Sequence, residues 1–166
     1  HTSVHLKQEM YLEKLHTIAK MLTLSINPQA YQKLLANYTT INSITNTTQD
    51  SIYWQIHNLL KDAAQKHQIN TPIYLLSKDS TAQQFYFGVT SAAQPYYRHP
   101  YTTFPPELMD NYAIGGTLPY YKDAHGLWMS AFAPMAMPSG EVIAVVQVDH
   151  FFDDFALEAR QQLWYN

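Results

Sequence analysis

Residues 119–155 read PYYKDAHGLWMSAFAPMAMPSGEVIAVVQVDHFFDDF, and the spacing of apolar side chains in and around this stretch decides the fold. Residues 118–121, 127–135 and 142–149 are short runs rich in aromatic and β-branched side chains, each bounded by turn formers, and they read as three strands. Pro138-Ser139-Gly140 forms a tight turn between the last two, which makes them antiparallel neighbours. Residues 142–148 are almost continuously apolar, as a central strand covered on both faces requires. Gln147 and Asp149 share the odd-numbered face with Ile143 and Val145, so polar groups gather at one end of one face.

Working upstream, residues 73–76 and 85–89 form two more strands joined by the turn-prone Lys78-Asp79-Ser80, a β-hairpin. Residues 94–110, rich in Pro and Tyr with a helical turn at 106–112 and closed by Gly115-Gly116, read as a loop that crosses the sheet. Earlier still the period lengthens. Val4, Tyr11, Leu15, Ile18 and Leu22 mark one face of a long helix over residues 3–26. Asn27-Pro28 ends it and starts a short helix at 30–37. After a polar loop at 39–48, Asp50 or Ser51 caps a helix carrying Ile52, Ile56, Leu59, Leu60 and Ala63. Downstream, residues 152–164 read as a helix capped by Asp153. The expected architecture is α+β: a five-stranded antiparallel sheet with a long N-terminal helix and further packed helices. One domain fills the chain, with a helical part at 1–70, a sheet with its pocket loop at 71–150, and a C-terminal helix at 151–166.

Composition narrows the function. Of the 166 residues 46% are hydrophobic and 14% charged, with 13 Tyr and 7 Phe, which suits an ordered, aromatic-rich core with room for a small-molecule pocket. The net charge of -3 and the absence of any Lys/Arg run argue against nucleic acid. Without cysteine there are no disulfides and no thiol-ligated metal. The chain begins at His1 without an initiator Met and has no apolar stretch near the ~20 residues that span a bilayer, so it reads as a fragment of a longer protein.

Tyr121, Asp123, Ala124 and Gly126, an apolar strand reaching Pro134, the turn at Gly140, and a strand running to Asp149 before a helix together resemble the C-terminal half of Cache domains. These are extracytoplasmic, PAS-like sensors of chemoreceptors, histidine kinases and cyclic-nucleotide enzymes; the length matches the single-module form. The resemblance implies a PAS-like sheet and an extracytoplasmic ligand-sensing input domain of a bacterial transmembrane receptor. It further implies a periplasmic part of an inner-membrane protein, with membrane segments before His1 and after Asn166, and a homodimer formed through the N-terminal helix. In amino-acid-binding members of the tandem subfamily the Tyr-x-Asp and strand-end Asp hold the ligand's ammonium, and Tyr121, Asp123 and Asp149 match. An Arg closely followed by Trp-Tyr holds the carboxylate there; Tyr97, Arg98, His99, Pro100 and Tyr101 only approximate it.

Chemistry singles out Arg98, Tyr101, Tyr121, Asp123, Trp128 and Asp149 as ligand-binding candidates, expected to converge on one pocket for a small polar metabolite such as an amino acid or another small carboxylate. Asp149 either pairs with a cationic ligand group or accepts backbone amides where the chain turns. Asp123 is either a ligand contact or a solvated turn residue. Arg98 either grips an anionic group through two parallel hydrogen bonds or lies on a loop surface. Among Tyr96, Tyr97, Tyr101, Phe104, Tyr112, Tyr120, Tyr121 and Trp128, some wall the pocket and the rest are core. The eight histidines show no metal-binding spacing, and Ser130 lacks a Gly-x-Ser-x-Gly elbow, so no metal, no cofactor and no enzymatic activity are expected. The competing reading is a ligand-free structural or dimerisation domain. For self-association the stripe of Val4, Tyr11 and Ile18, repeating every seven residues with Leu15 and Leu22 between, is the expected surface.

Overall fold

The computed structural model describes residues 2–152, and side chains from residue 5 to 152. Helix α1 (Thr2–Ser25) gives way at Asn27, whose side chain accepts a hydrogen bond from the Ala30 amide at 3.1 Å and so starts α2 (Pro28–Asn37). Pro28 sits in the first turn, where its missing N–H is not needed. Asp50 plays the same capping part for α3 (Ser51–Lys66), accepting from the Tyr53 amide at 2.9 Å. The hairpin follows as β1 (Tyr74–Asp79) and β2 (Gln84–Thr90). The crossing segment carries the two-residue strand β3 (Pro100–Tyr101) and the single-turn helix α4 (Pro106–Asp110). Then come β4 (Gly116–Asp123), β5 (Gly126–Ala136) and β6 (Val142–Phe152).

The strands form an antiparallel sheet in the order β3-β2-β1-β6-β5-β4, so the architecture is α+β as expected, with six strands in place of five. The extra strand arises because the crossing segment, read as a loop, pairs Pro100 with Tyr86 and Tyr101 with Phe85 at the sheet edge. A second difference concerns β6. Its pairing with β5 continues through Leu127 opposite Phe152, so Asp149 lies inside the strand, opposite Ser130, and not at its end. Phe152 is therefore strand, and the helix expected after it, with its Asp153 cap, lies outside the described residues.

Side-chain alternation sorts the sheet into two apolar faces. Leu75, Met129, Ala131, Ala133, Val146 and Val148 join Leu15, Ile18 and Leu22 of α1, Tyr31 of α2, and Tyr53, Ile56 and Leu60 of α3 in the larger core. Leu76, Phe85, Leu118, Phe132 and Val145 meet Leu108 of α4 and Tyr112 in a smaller one. The sheet is thus the middle of three layers, between the helices and the crossing segment. Tyr31 is driven so far into the larger core that a Cβ on Gly88 would stand 1.7 Å from its hydroxyl.

Packing also corrects the expected self-association surface. Leu15, Ile18 and Leu22 are buried against the domain's own sheet, and their stripe is spent there; the Val4 side chain is outside those described. The exposed apolar residues of α1 are Leu6, Met10, Met21 and Leu24, on the opposite side of the helix, Leu24 being 88% exposed. Among the described residues no helix is long and apolar enough to cross a membrane.

Candidate functional site

Residues of β1 and β2, the odd-numbered face of β6, the ends of β4 and β5, and the crossing segment line an open cavity of about 560 Å³. Asp149, only 4% exposed, lies at its bottom. Tyr74, Phe87, Tyr101, Tyr121 and Trp128 wall it, and the exposed Tyr96, Thr102, Thr103 and His125 stand at its rim. The aromatic walls interlock: Phe87 is edge-on to Tyr74 at 5.4 Å and to Tyr96 at 5.3 Å, and stacks on Tyr101 at 5.3 Å. Edge-to-face and offset contacts of this kind hold the walls in place without a ligand.

The register of β4, β5 and β6 assembles the polar floor. Ser130, opposite Asp149 on β5, donates its hydroxyl proton to Asp149 Oδ1, and Gln147, two residues along the same face, donates Nε2–H to that oxygen at 2.9 Å. Tyr74, opposite Gln147 on β1, donates to Oδ2 at 2.6 Å. Because Ser130 spends its only proton on the carboxylate, the hydroxyl of Tyr121 must donate to Ser130 Oγ across 2.7 Å. Asp123 ends β4 next to this group. Its Oδ1 accepts from the His125 amide at 2.8 Å, the Gly126 amide at 3.2 Å and Trp128 Nε1 at 2.8 Å. One carboxylate oxygen thus shapes the turn and fixes Trp128 in the wall, and Oδ2 receives no hydrogen bond from any described residue.

The electrostatics follow from burial. Desolvation pushes the carboxyl of Asp149 above its ordinary value of 3.8; hydrogen bonds from Ser130, Tyr74 and Gln147 oppose the shift, and the charge of Asp123 adds to it. Burial, reinforced by the charge of Asp149, holds the phenols of Tyr74, Tyr101 and Tyr121 well above 10, so all three stay neutral donors at physiological pH. A carboxyl whose pKa is higher folded than unfolded contributes stability that is complete below the unfolded value and is lost as pH rises through the folded one. Asp149→Asn keeps the acceptor for Ser130 and Gln147 and removes the charge. It is therefore expected to melt at a higher temperature than the parent near pH 7, with the gap closing as pH falls to about 4, in thermal melts run across that range.

Five of the six candidates, Tyr101, Tyr121, Asp123, Trp128 and Asp149, line this one cavity. Arg98 does not, and the expected convergence on it is corrected. Its Nη2 donates to the Leu35 carbonyl at 2.6 Å and its Nε to the Tyr38 carbonyl at 3.2 Å, so it closes the C-terminal end of α2, with the guanidinium 4.4 Å over the ring of Tyr86. Helix C-termini leave carbonyls unpaired and carry partial negative charge, and an arginine nearby is drawn to them. The other named aromatics divide as well. Tyr97 is buried on the helix side, donating to the Tyr38 carbonyl; Phe104 and Tyr112 pack with Phe85; Tyr120 lies in the larger core. Sequence reading missed Tyr74 and Phe87 as wall residues and Ser130 and Gln147 as partners of Asp149. Period-two alternation from Leu76 back to Tyr74, and from Phe85 on to Phe87, is the signal that finds the first two. Among the described residues no three His, Asp or Glu side chains gather as a metal site.

No family model matches the chain, and no curated protein sequence does. Among solved structures it is similar to the sensory domain of the Campylobacter jejuni chemoreceptor Tlp3 (CcmL) with isoleucine bound, at 15% identity and a TM-score of 0.40, over 90% of this chain and 62% of that one. The ligand-binding domain of the same chemoreceptor in complex with L-valine aligns at 16% identity with the same TM-score of 0.40 and the same shares of the two chains. Its complex with L-norvaline aligns at 14% identity and 0.40, over 87% and 59%. This chain therefore spans about three fifths of the length of the structures it aligns with.

Proposed function

We propose that this chain is an extracytoplasmic ligand-sensing input domain of a bacterial transmembrane signalling receptor, of the histidine-kinase, cyclic-nucleotide-cyclase or chemoreceptor type, and that it binds a small polar metabolite between its sheet and crossing segment. One observation carries the reading. A preformed cavity of about 560 Å³, aromatic on its walls, holds a buried carboxylate that no described cation neutralises. An unpaired buried charge costs stability, and a cationic ligand group that supplies the missing partner offsets that cost. The residues that line the cavity hold and orient, and Ser130, whose hydroxyl donates to Asp149, is fully buried beneath it and does not line it, which favours recognition over turnover. Flanking membrane segments and a homodimer belong to the same proposal.

The test is a thermal-shift screen of the domain against single metabolites. A true ligand raises the melting temperature in proportion to the logarithm of its concentration, by about 2.7 kcal/mol of stability at a hundredfold excess over Kd. Asp123→Asn and Asp149→Asn are expected to abolish the shift. A chain that no metabolite stabilises would be the ligand-free structural domain of the competing reading.

A further inference from the structure

We infer that the cavity is built for an organic monocation: an ammonium group on an apolar body, with no carboxylate beside it. This deepens the proposed function and rests on it. The polar end of the cavity has a surplus of acceptors. Asp149 Oδ2 takes one hydrogen bond, from Tyr74; Asp123 Oδ2 takes none from the described residues. An ammonium group offers the donors and the positive charge that these two carboxylates lack.

A carboxylate has nothing comparable to meet. No Lys or Arg is among the described residues lining the cavity, and its one basic side chain, His125, is exposed on the turn at the rim. The arginine nearest in sequence is committed elsewhere: Arg98 has a left-handed backbone, φ 65°, and its guanidinium is bonded to the end of α2. An α-amino acid placed with its ammonium against Asp149 and Asp123 would bring its own carboxylate to the same two negative charges without a counter-ion. The walls suit a cation for a separate reason. Aromatic rings attract positive charge through their faces, and Tyr74, Phe87, Tyr101, Tyr121 and Trp128 surround the site with phenols held in the neutral form.

The experiment is calorimetry with compounds matched by skeleton: 2-phenylethylamine, phenylalanine and 3-phenylpropanoate, then 3-methylbutylamine, leucine and 4-methylpentanoate. In at least one set the amine is expected to bind about a hundredfold more tightly than the amino acid, with the acid silent, the scale of an uncompensated buried charge. Asp149→Asn should lower the amine's affinity by a similar factor, and the more exposed Asp123→Asn keeps the test open should the first variant fold poorly. Affinity should also fall as pH drops and Asp149 takes up its proton. Amino acids binding as tightly as their amines, or acids binding where amines do not, would overturn the inference and leave the sensing role intact. Silence from all six compounds would overturn it too, while the sensing role would still be decided by the wider metabolite screen.

Discussion

Replacing Gly88 by alanine is expected to destabilise the domain by about 3 kcal/mol, the upper end of the range for forcing a methyl group into a packed core. The reason is not backbone conformation, since Gly88 has no positive φ. The hydroxyl of Tyr31 and the space a Cβ would fill are the same place, with 1.7 Å between them, and the ring carbon bearing the hydroxyl is only 3.0 Å away. Tyr31 cannot step aside, because it is fully buried between α2 and the sheet. Tyr31→Phe removes the clashing oxygen, so Gly88→Ala should cost less in that background. Chemical denaturation of the four species in this double-mutant cycle measures the coupling, and additive effects would refute the contact.

Arg98→Ala is expected to lower stability by about 2 to 3 kcal/mol, the scale of one hydrogen bond from a charged donor, since the Tyr38 carbonyl keeps its bond from Tyr97, and to leave the binding proposed for the cavity unchanged in the folded protein. Both bonds go to the last turn of α2 and the residue that ends it, to the Leu35 carbonyl and to the Tyr38 carbonyl, which the Tyr97 hydroxyl also serves. Arg98→Gly should cost less than Arg98→Ala by about 1 kcal/mol, because glycine adopts a φ of 65° without strain. Denaturation of each variant, paired with calorimetry on whichever amine or metabolite the parent binds, separates this structural part from a part in recognition. Lost affinity in a stably folded Arg98 variant would return the residue to the site.

The fold was readable where local physics and packing agree. Asn27-Pro28 and Asp50 announce helix starts because a capping oxygen and a residue without a needed N–H serve there whatever surrounds them. The unbroken apolar run before Gln147 announces a central strand for the same kind of reason. β3 was not readable: Pro100-Tyr101 has no strand pattern of its own and pairs only because the crossing segment is laid along β2. At the site, two carboxylates and an aromatic group at one end of the sheet followed from the turn at Pro138-Ser139-Gly140, since antiparallel register carries Asp149 back to Ser130 and its neighbours. The destination of Arg98 did not follow. A guanidinium beside a loop can serve an anion or the end of a helix, and the choice depends on how α2 packs, which no spacing near residue 98 encodes.

The place of β6 in the sheet has a bearing on how the domain comes into being. It is the last strand in the described chain, yet it lies in the middle of the sheet, hydrogen-bonded to β1 on one side and β5 on the other. Tyr74 must find Gln147 and Leu76 must find Val145, pairs roughly seventy residues apart, whereas β1 with β2 and β4 with β5 close locally. During synthesis the two hairpins can form early, but they stay unjoined until residues 142–152 have left the ribosome. Asp149 arrives on that same strand, so the pocket is incomplete in any nascent chain from which residues 142–152 have not yet emerged.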